Sequence, residues 1–415
     1  MATNGAEEID ESLYSRQLYV LGADAMKKMS MSSVLIAGLG PCGVEAAKNI
    51  ILGGVKKVTL WDNQKASWFD MGAHYYMKEA DVTSSRNRAA CSFEQLKELN
   101  PYVSVELSDS AELTEAMISE HNVFIILAEA AGLAGRVFCD FGASHTVVDK
   151  DGAEPKQVLI SSVVRDGDSF TVSCHDEVRH ELETGEYVSF TEIQGLDGLL
   201  NRDFEIRVTG PFGFTIPANG ITGDKSTNTG WLHQVKKPIT ISFNTLRKEM
   251  TAPSDFVLTD FGKFERPATY HACFRALAKF QATANDLPKP HDEADATKFM
   301  NLVNEINGSE LQGAEKEAAK KFSFTARAKL QPVASAIGAI AAQEAVKAVS
   351  ECLPVNPITD AKIADNRYAS QIAAFGQGFQ DKMLKQKWFL VGSGAIGCEL
   401  LKNFAMMGLG KSYYH

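Results

Sequence analysis

Nowhere in the 415 residues is there a C-x-x-C pair, and the seven cysteines are scattered and odd in number. That supports neither a zinc knuckle nor a disulfide framework and points to a reducing compartment, cytoplasm or nucleus. No apolar run approaches the roughly 20 residues that span a bilayer. The opening segment, Met1 to Ser12, is polar and acidic, unlike a secretory signal or a transit peptide. Positive charge is in deficit: 42 Lys and Arg stand against 52 Asp and Glu, a formal net charge of -10. Unspecific binding to nucleic acid or to an anionic membrane needs a basic face, so neither is expected as a partner.

What is present is ordinary globular chemistry, 45% hydrophobic and 23% charged, in a chain long enough for two to four domains. The most informative feature is internal. Val34-Leu35-Ile36-Ala37 reads as a buried strand and runs into Gly38-Leu39-Gly40-Pro41-Cys42-Gly43. Near the other end, Trp388-Phe389-Leu390-Val391 runs into Gly392-Ser393-Gly394-Ala395-Ile396-Gly397. A single ungapped register then pairs Tyr14 with Tyr368, Gln17 with Gln371, Gly22 with Gly376, Glu45 with Glu399, Lys48-Asn49 with Lys402-Asn403 and Gly54 with Gly408. So many identities in one register mark two copies of a nucleotide-type unit, one complete and one barely begun.

Glycines in such a loop allow a tight turn and let backbone N–H groups approach a phosphate at a helix N-terminus. In the first copy Val58-Thr59-Leu60 is the next strand, and Asp62 falls about 20 residues past the loop, where a ribose-binding carboxylate would sit. Against this, Pro41 removes an N–H that a phosphate could use. Gly38, Gly40 and Gly43 therefore read equally as a vestigial loop kept for helix–strand packing. The second loop, Gly392, Gly394 and Gly397, is cleaner but starts an incomplete site.

Between the copies the period changes. From Gln157 to Phe243 alternation such as Phe204, Ile206, Val208 and then Ile239, Ile241, Phe243, with turns at Asp166-Gly167 and Gly210-Pro211, predicts a small β domain. From Ser254 to about Phe322 the period is helical; Phe299, Leu302, Val303 and Ile306 form one stripe, and Asn285 to Pro288 breaks the preceding helix. Pro332 to Val349 predicts a helix whose small face, Ala334, Gly338, Ala341 and Ala345, suits close packing against the second copy.

Tyr14-Ser15-Arg16-Gln17-Leu18-Tyr19-Val20-Leu21-Gly22, Lys48 to Val55, Phe138 to Gly142, His175-Asp176-Glu177-Val178-Arg179-His180, Ala341 to Glu344 and Gly392 to Gly410 together resemble eukaryotic ubiquitin-activating enzyme, over nearly the whole chain and in order. The resemblance implies a Rossmann-like, doubly wound, ThiF-type adenylation domain that is inactive and interrupted. Its expected parts are residues 1–142 and 326–366, with a β-rich half-domain at 143–243 and a four-helix bundle at 244–325 between them. Residues 367–415 would start the active adenylation domain. It also implies Mg-ATP as cofactor of the complete enzyme, adenylation of the ubiquitin C-terminus and transfer to a cysteine as a thioester. Arg16, whose repeat partner is Ser370, would lend a cation to the ATP of the active half. Asp176 and Arg179 would contact ubiquitin, and ubiquitin-conjugating enzymes would bind only through domains not in this chain.

The departures matter. Val123 to Leu127 passes through Ala128 to Gly132 almost directly into Arg136 to Asp140, where the family has a further helix and strand, and Cys352-Leu353-Pro354 replaces an aromatic-rich strand. Lys411 to His415 does not continue the family pattern, so alternative splicing or a misassembled gene is expected, with an incomplete sheet after Leu127 and Val349. No cysteine lies in the family's thioester motif and the Mg-binding aspartate is absent, so the chain alone is expected to be inactive and to hold no nucleotide tightly. His175 and His180 lack a third ligand at metal spacing. Two other classes stay open: a nicotinamide-dependent oxidoreductase using Gly38, Gly40, Gly43 and Asp62, and a non-catalytic ubiquitin-interacting protein.

Overall fold

A computed structural model describes residues 10–125, 128–148, 154–175, 178–254, 256, 263–350, 387–390, 395–407 and 411–414. These form two compact units, one from the described residues of 1–142, 243–350 and 387–414, the other from those of 143–242.

The first unit opens with helix α1 (Glu11–Met31), capped by the Asp10 carboxylate on the Ser12 and Leu13 N–H groups and kinked at Gly22, whose φ is +80°. Strand β1 (Ser33–Ala37) then leads into α2 (Pro41–Gly53), with Pro41 in its first turn and Gly54 as a left-handed C-cap. Strand β2 (Lys57–Trp61) is followed by helices α3 (Trp68–Met71), α4 (Glu79–Thr83) and α5 (Arg88–Lys97). Next come β3 (Ser104–Leu107), α6 (Glu115–Ser119) and β4 (Val123–Ile125). The four strands are parallel in the order β3-β2-β1-β4. Val34, Ile36, Val58 and Leu60 face α2, while Leu35, Ala37 and Trp61 face Leu113, Met117 and Ile118 on and beside α6. Cover on both faces is why β1 reads as an unbroken apolar run. Each fully buried Leu or Ile there contributes about 1.5–3 kcal/mol.

After Ile125 the chain does not enter a further helix. Ala128–Ala131 (β5) and Ala134–Val137 (β6) form a short antiparallel hairpin. It lies flush on a later helix: a side chain at Gly135 would meet the Ile337 side chain at 2.2 Å.

In the second unit a short ribbon of β7 (His145–Val147) with β15 (Ile239–Ile241) brackets a larger sheet. That sheet comprises β8 (Gln157–Asp166), β9 (Ser169–Cys174), β10 (Tyr187–Thr191), β11 (Phe204–Glu205), β12 (Arg207–Gly210), β13 (Gly213–Pro217) and β14 (Gly230–Val235), in the order β11-β10-β14-β8-β9-β13-β12. The first and last members of that order are separated in sequence by Ile206 alone. The sheet therefore closes on itself as a barrel around Phe170, Phe190, Phe204, Ile206, Phe214 and Leu232. The alternation at Ile239 and Ile241 belongs to the ribbon, where Ile239 is exposed.

Back in the first unit, the Phe243 N–H donates to the Gly142 carbonyl at 2.9 Å. Helices α7 (Leu246–Thr251), α8 (Arg266–Ala284), α9 (Glu293–Asn307) and α10 (Gly313–Thr325) follow, centred on Phe274, Phe299 and Phe322. Helix α8 stops at Asn285, which takes φ +53° before Pro288. Then α11 (Gln331–Ser350) lays its small face mainly on α2, where the sequence led us to expect the second copy, whose helix it also meets. A side chain at Gly338 would meet the Cys42 carbonyl at 2.6 Å, and Ala342 and Ala345 join the α2 core.

The second copy is β16 (Lys387–Leu390), α12 (Ala395–Met407) and β17 (Lys411–Tyr414). Its strands pair parallel from Lys387↔Lys411, the repeat equivalent of Ser33↔Lys57. The tail that looked foreign is thus the second strand of the repeated unit. Among the described residues no helix is long and apolar enough to cross a membrane.

Candidate functional site

The first glycine loop is filled by its own chain. Gly38 takes φ +104° and donates its N–H to the Trp61 carbonyl at 2.8 Å. The Leu39 N–H donates to Asp62 Oδ2 at 2.7 Å, and the Gln64 N–H to Asp62 Oδ1 at 2.7 Å. Arg88 Nε completes the closure, donating to Asp62 Oδ2 at 2.9 Å, while another guanidinium nitrogen reaches Asp70 at 3.3 Å. Burial disfavours the Arg88 charge, but Asp70 and Asp62 outweigh it and hold the guanidinium protonated. Asp62, where a ribose carboxylate was expected, is therefore a structural acceptor. Gly43 is needed for packing, because a Cβ there would lie 1.8 Å from the Gly38 carbonyl oxygen.

A cavity of about 150 Å³ remains beside Gly38, Gly40, Gly43, Asp70, Arg88 and Lys329. Small-molecule sites commonly need about 300–1,000 Å³. The Gly38 and Leu39 N–H groups are also occupied and Pro41 has none to give, so the first copy does not fit Mg-ATP or a dinucleotide. Behind it His74 is fully buried with neither ring nitrogen in hydrogen-bond geometry, and burial pushes its pKa down to about 4. Burial likewise pushes the Cys42 thiol up to about 12 and Cys91 up to about 11, and raises Cys174 and Cys273. Cys139 rises to about 12 through burial and the Glu344 carboxylate. None of these five is poised as a thiolate nucleophile.

In the second copy Gly392 and Gly394 lie outside the described residues, and Gly397 sits in the first turn of α12. Helices α2 and α12 meet through a ring of four charges. Lys48 Nζ lies 2.6 Å from Glu399 Oε1, and Lys402 Nζ 3.0 Å from Glu45 Oε2. Within each helix Lys48 pairs with Glu45 at 2.7 Å and Lys402 with Glu399 at 2.6 Å. Lys402 also stands 4.9 Å over the Tyr75 ring. The sequence showed these residues as repeat equivalents but gave no sign that they would face each other. The cross-helix pairs run in opposite senses, Glu45 to Lys402 and Lys48 to Glu399. The C-terminal turn of α2 therefore lies on the side of the N-terminal turn of α12.

That geometry bears on Arg16. It lies on α1 between Tyr14, whose hydroxyl accepts from Asn100 Nδ2 at 2.7 Å, and Gln17, whose Nε2 donates to the Leu52 carbonyl at 3.2 Å. The Arg16 backbone is thus tied to the C-terminal end of α2, away from Gly38, Gly40, Gly43 and Asp62 and on the side of the N-terminal turn of α12.

In the barrel Asp176 lies outside the described residues; Arg179 is exposed, with no hydrogen-bond or ion-pair partner among the described residues. Exposed Val178 and Phe212 lie on the same pair of loops, which are tied by Cys174 N–H to the Phe212 carbonyl and His180 N–H to the Pro211 carbonyl. His180 is structural: Nε2 donates to the Gly210 carbonyl at 2.8 Å, and Nδ1 accepts from the Leu182 N–H at 3.0 Å. Among the described residues no cluster of three His, Cys, Asp or Glu could hold a metal ion.

A parallel sheet covered on both faces, a glycine turn entering a helix and a second copy of that unit define a Rossmann-like, adenylation-type α/β protein. Family models agree: the ThiF family matches residues 368–411, the ubiquitin-activating enzyme E1 FCCH domain 167–236 and the ubiquitin-activating enzyme E1 four-helix bundle 237–307. Ubiquitin-like modifier-activating enzyme 1 of Mus musculus is 42% identical over 99% of this chain and 43% of its own length. Ubiquitin-activating enzyme E1 1 of Schizosaccharomyces pombe is 38% identical over 97% of this chain and 43% of its own length. A solved structure of E. coli tRNA N6-threonylcarbamoyladenosine dehydratase with AMP is 15% identical over 29% of this chain and 50% of its own, at a TM-score of 0.26, too slight a likeness to argue from. The chain belongs to the ubiquitin-activating enzyme family and spans under half the length of these curated relatives.

Proposed function

We propose that this chain is the non-catalytic N-terminal segment of an ATP-dependent enzyme that adenylates ubiquitin and passes it to a cysteine as a thioester. Its parts are a scaffold in the first copy, a ubiquitin contact on the barrel and Arg16 as a cation for the nucleotide held by the second copy. Mg-ATP belongs to the complete enzyme. Ubiquitin is the partner; ubiquitin-conjugating enzymes would bind through regions other than those described. The setting is cytoplasm and nucleus, in keeping with free cysteines.

The observation that carries this reading is the Gln17 hydrogen bond to Leu52 together with the opposed ion pairs of α2 and α12. They support an approach of the α1 segment bearing Arg16 toward the second loop, while the first loop is closed by Asp62 and Arg88. A positioned Arg stabilises charge on a transferring phosphoryl or adenylyl group at little cost in reorganisation. For the barrel, exposed Arg179 beside Val178 and Phe212 supports contact with a small protein.

The test joins this chain, through α12, to the matching remainder of the mouse relative. Arg16→Ala is then expected to slow ubiquitin-dependent ATP–pyrophosphate exchange about a hundredfold while ubiquitin affinity changes less than about twofold. An unchanged exchange rate removes Arg16 from the site. By itself the chain is expected to form no DTT-sensitive ubiquitin conjugate with ATP; such a band on non-reducing gels overturns the non-catalytic reading.

A further inference from the structure

We propose that Glu45, Lys48, Glu399 and Lys402 are positioning residues: a charge latch that sets the register of α12 against the first copy, and with it the approach of the Arg16 helix to the N-terminal turn of α12. This deepens the proposed function and rests on its reading of the two copies as parts of one nucleotide site.

Each charge in the ring touches two of opposite sign, one along its own helix and one across. Glu45 and Lys48 are buried, with Glu45 3% and Lys48 9% exposed at the side chain, and Lys402 is 18% exposed, so the Glu45–Lys402 contact is screened little by solvent, whereas Glu399, 49% exposed, stands at the wet edge of the ring. The same Glu-x-x-Lys occupies equivalent positions of both copies, which makes the face self-complementary about a local two-fold.

The opposed sense of the contacts is what encodes register. Sliding α12 by about one turn along α2 in one direction sets Glu399 against Glu45; in the other it sets Lys402 against Lys48. Like charges at a buried contact are strongly disfavoured, so both neighbouring registers are rejected while the observed one is stabilised twice. Packing alone discriminates weakly here, because the face of α12 around Cys398, Glu399 and Leu400 is exposed. Hydrophobic burial holds α2 in its own copy; the charges say where α12 must lie against it.

The experiment uses the chain itself and swaps charges one helix at a time. Glu45→Lys with Lys48→Glu keeps the pair within α2 but sets like charges across; Glu399→Lys with Lys402→Glu does the same from α12. Two quantities are read. One is hydrogen exchange of the α12 amides. The other is the distance distribution between spin labels at Tyr19→Cys, on α1 (92% exposed), and Leu400→Cys, on α12, with Cys352 and Cys398 replaced by Ser. Each single-helix swap is expected to speed α12 exchange at least about tenfold and to broaden the label distance; the four-fold swap restores both to within about threefold. The α12 swap lies on a partly exposed helix and leaves the first-copy core untouched, so it decides the matter even where the α2 swap fails to fold. Unchanged exchange and distance in the α12 swap overturn the latch, as does a four-fold swap no better than the single-helix ones. Arg16→Ala leaves both readouts unchanged, so failure of the Arg16 role and failure of the latch are told apart.

Discussion

In the first copy the helix behind the glycine turn is buried from Pro41 to Lys48 and again at Ile50 and Ile51, between the parallel sheet and α11. In the second copy the equivalent helix begins and ends at equivalent residues, yet Cys398, Glu399 and Leu400 are exposed and only Met406 is buried among its described residues. Strand register is likewise the same in both. What differs is the surroundings. The first copy has Asp62, Arg88 and Asp70 to close its loop and α11 to cover its helix. A repeated frame thus fixes where a loop and helix go; groups from outside the frame decide whether the loop is a site or a packed turn.

Breaking the closure of the first copy should give the largest effect. Arg88→Met leaves the Asp62 and Asp70 carboxylates buried and unpaired, and a loss of about 3–5 kcal/mol is expected in urea denaturation, with part regained on adding Asp62→Asn. Gly43→Ala tests the same turn through sterics. With a methyl group 1.8 Å from the Gly38 carbonyl oxygen, the backbone must shift, at a cost of about 3 kcal/mol by the same measurement. A loss well under 1 kcal/mol there would mean the first turn is as open as a phosphate loop.

His74 sharpens the comparison through pH. Its folded pKa of about 4 lies below the ordinary 6.5, so the unfolded chain binds the extra proton between those values. Stability is therefore expected to fall as pH drops from about 6.5 to 4, by about 2 kcal/mol, and His74→Leu should flatten that slope in pH-dependent thermal melts. Glu399 reports on the second copy. Burial opposes its ionisation, but hydrogen bonds from Lys402 and Lys48 outweigh it and hold its pKa below the usual carboxylate value. Its contribution is present above that usual value and lost as pH falls through the lowered one, so α12 amides should lose protection in mild acid. Smallest is the barrel effect: Arg179→Glu should weaken ubiquitin binding by biolayer interferometry about threefold to fivefold with an unchanged melt, since rim charges contribute about 1 kcal/mol or less.

Much of this was legible in local sequence. The repeat register, the strand–turn–helix boundaries, the Asn285 stop and the Phe299–Val303 stripe follow from glycine, proline and periodicity, which act over a few residues. Arg88 was not legible, because it reaches Asp62 from a different helix and nothing at either position marks the pair. The hairpin at 128–137 was hidden by its alanines, which carry no β signal and earn their place only by fitting flush on α11. The latch was half visible: equality of Glu45 with Glu399 and of Lys48 with Lys402 was plain, but identity in a repeat does not say that the copies touch. The strand at the tail was not legible because Ser412 and the two tyrosines stand where β2 has aliphatic residues, although strand pairing needs only the backbone.

The barrel joins its host by two strands that run side by side, β7 with β15, and the host chain on either side is closed by the Phe243 N–H on the Gly142 carbonyl. To the surrounding fold, everything from Ala143 to Ser242 is therefore one turn. Once the barrel has formed, its ends already meet, and the host bears almost none of the loop-closure entropy that so long an excursion would otherwise impose. Such an insertion is modular in the engineer's sense: a short turn from Gly142 to Phe243 should serve the host sheet as well, and the barrel should keep its shape wherever two adjacent chain ends can receive it.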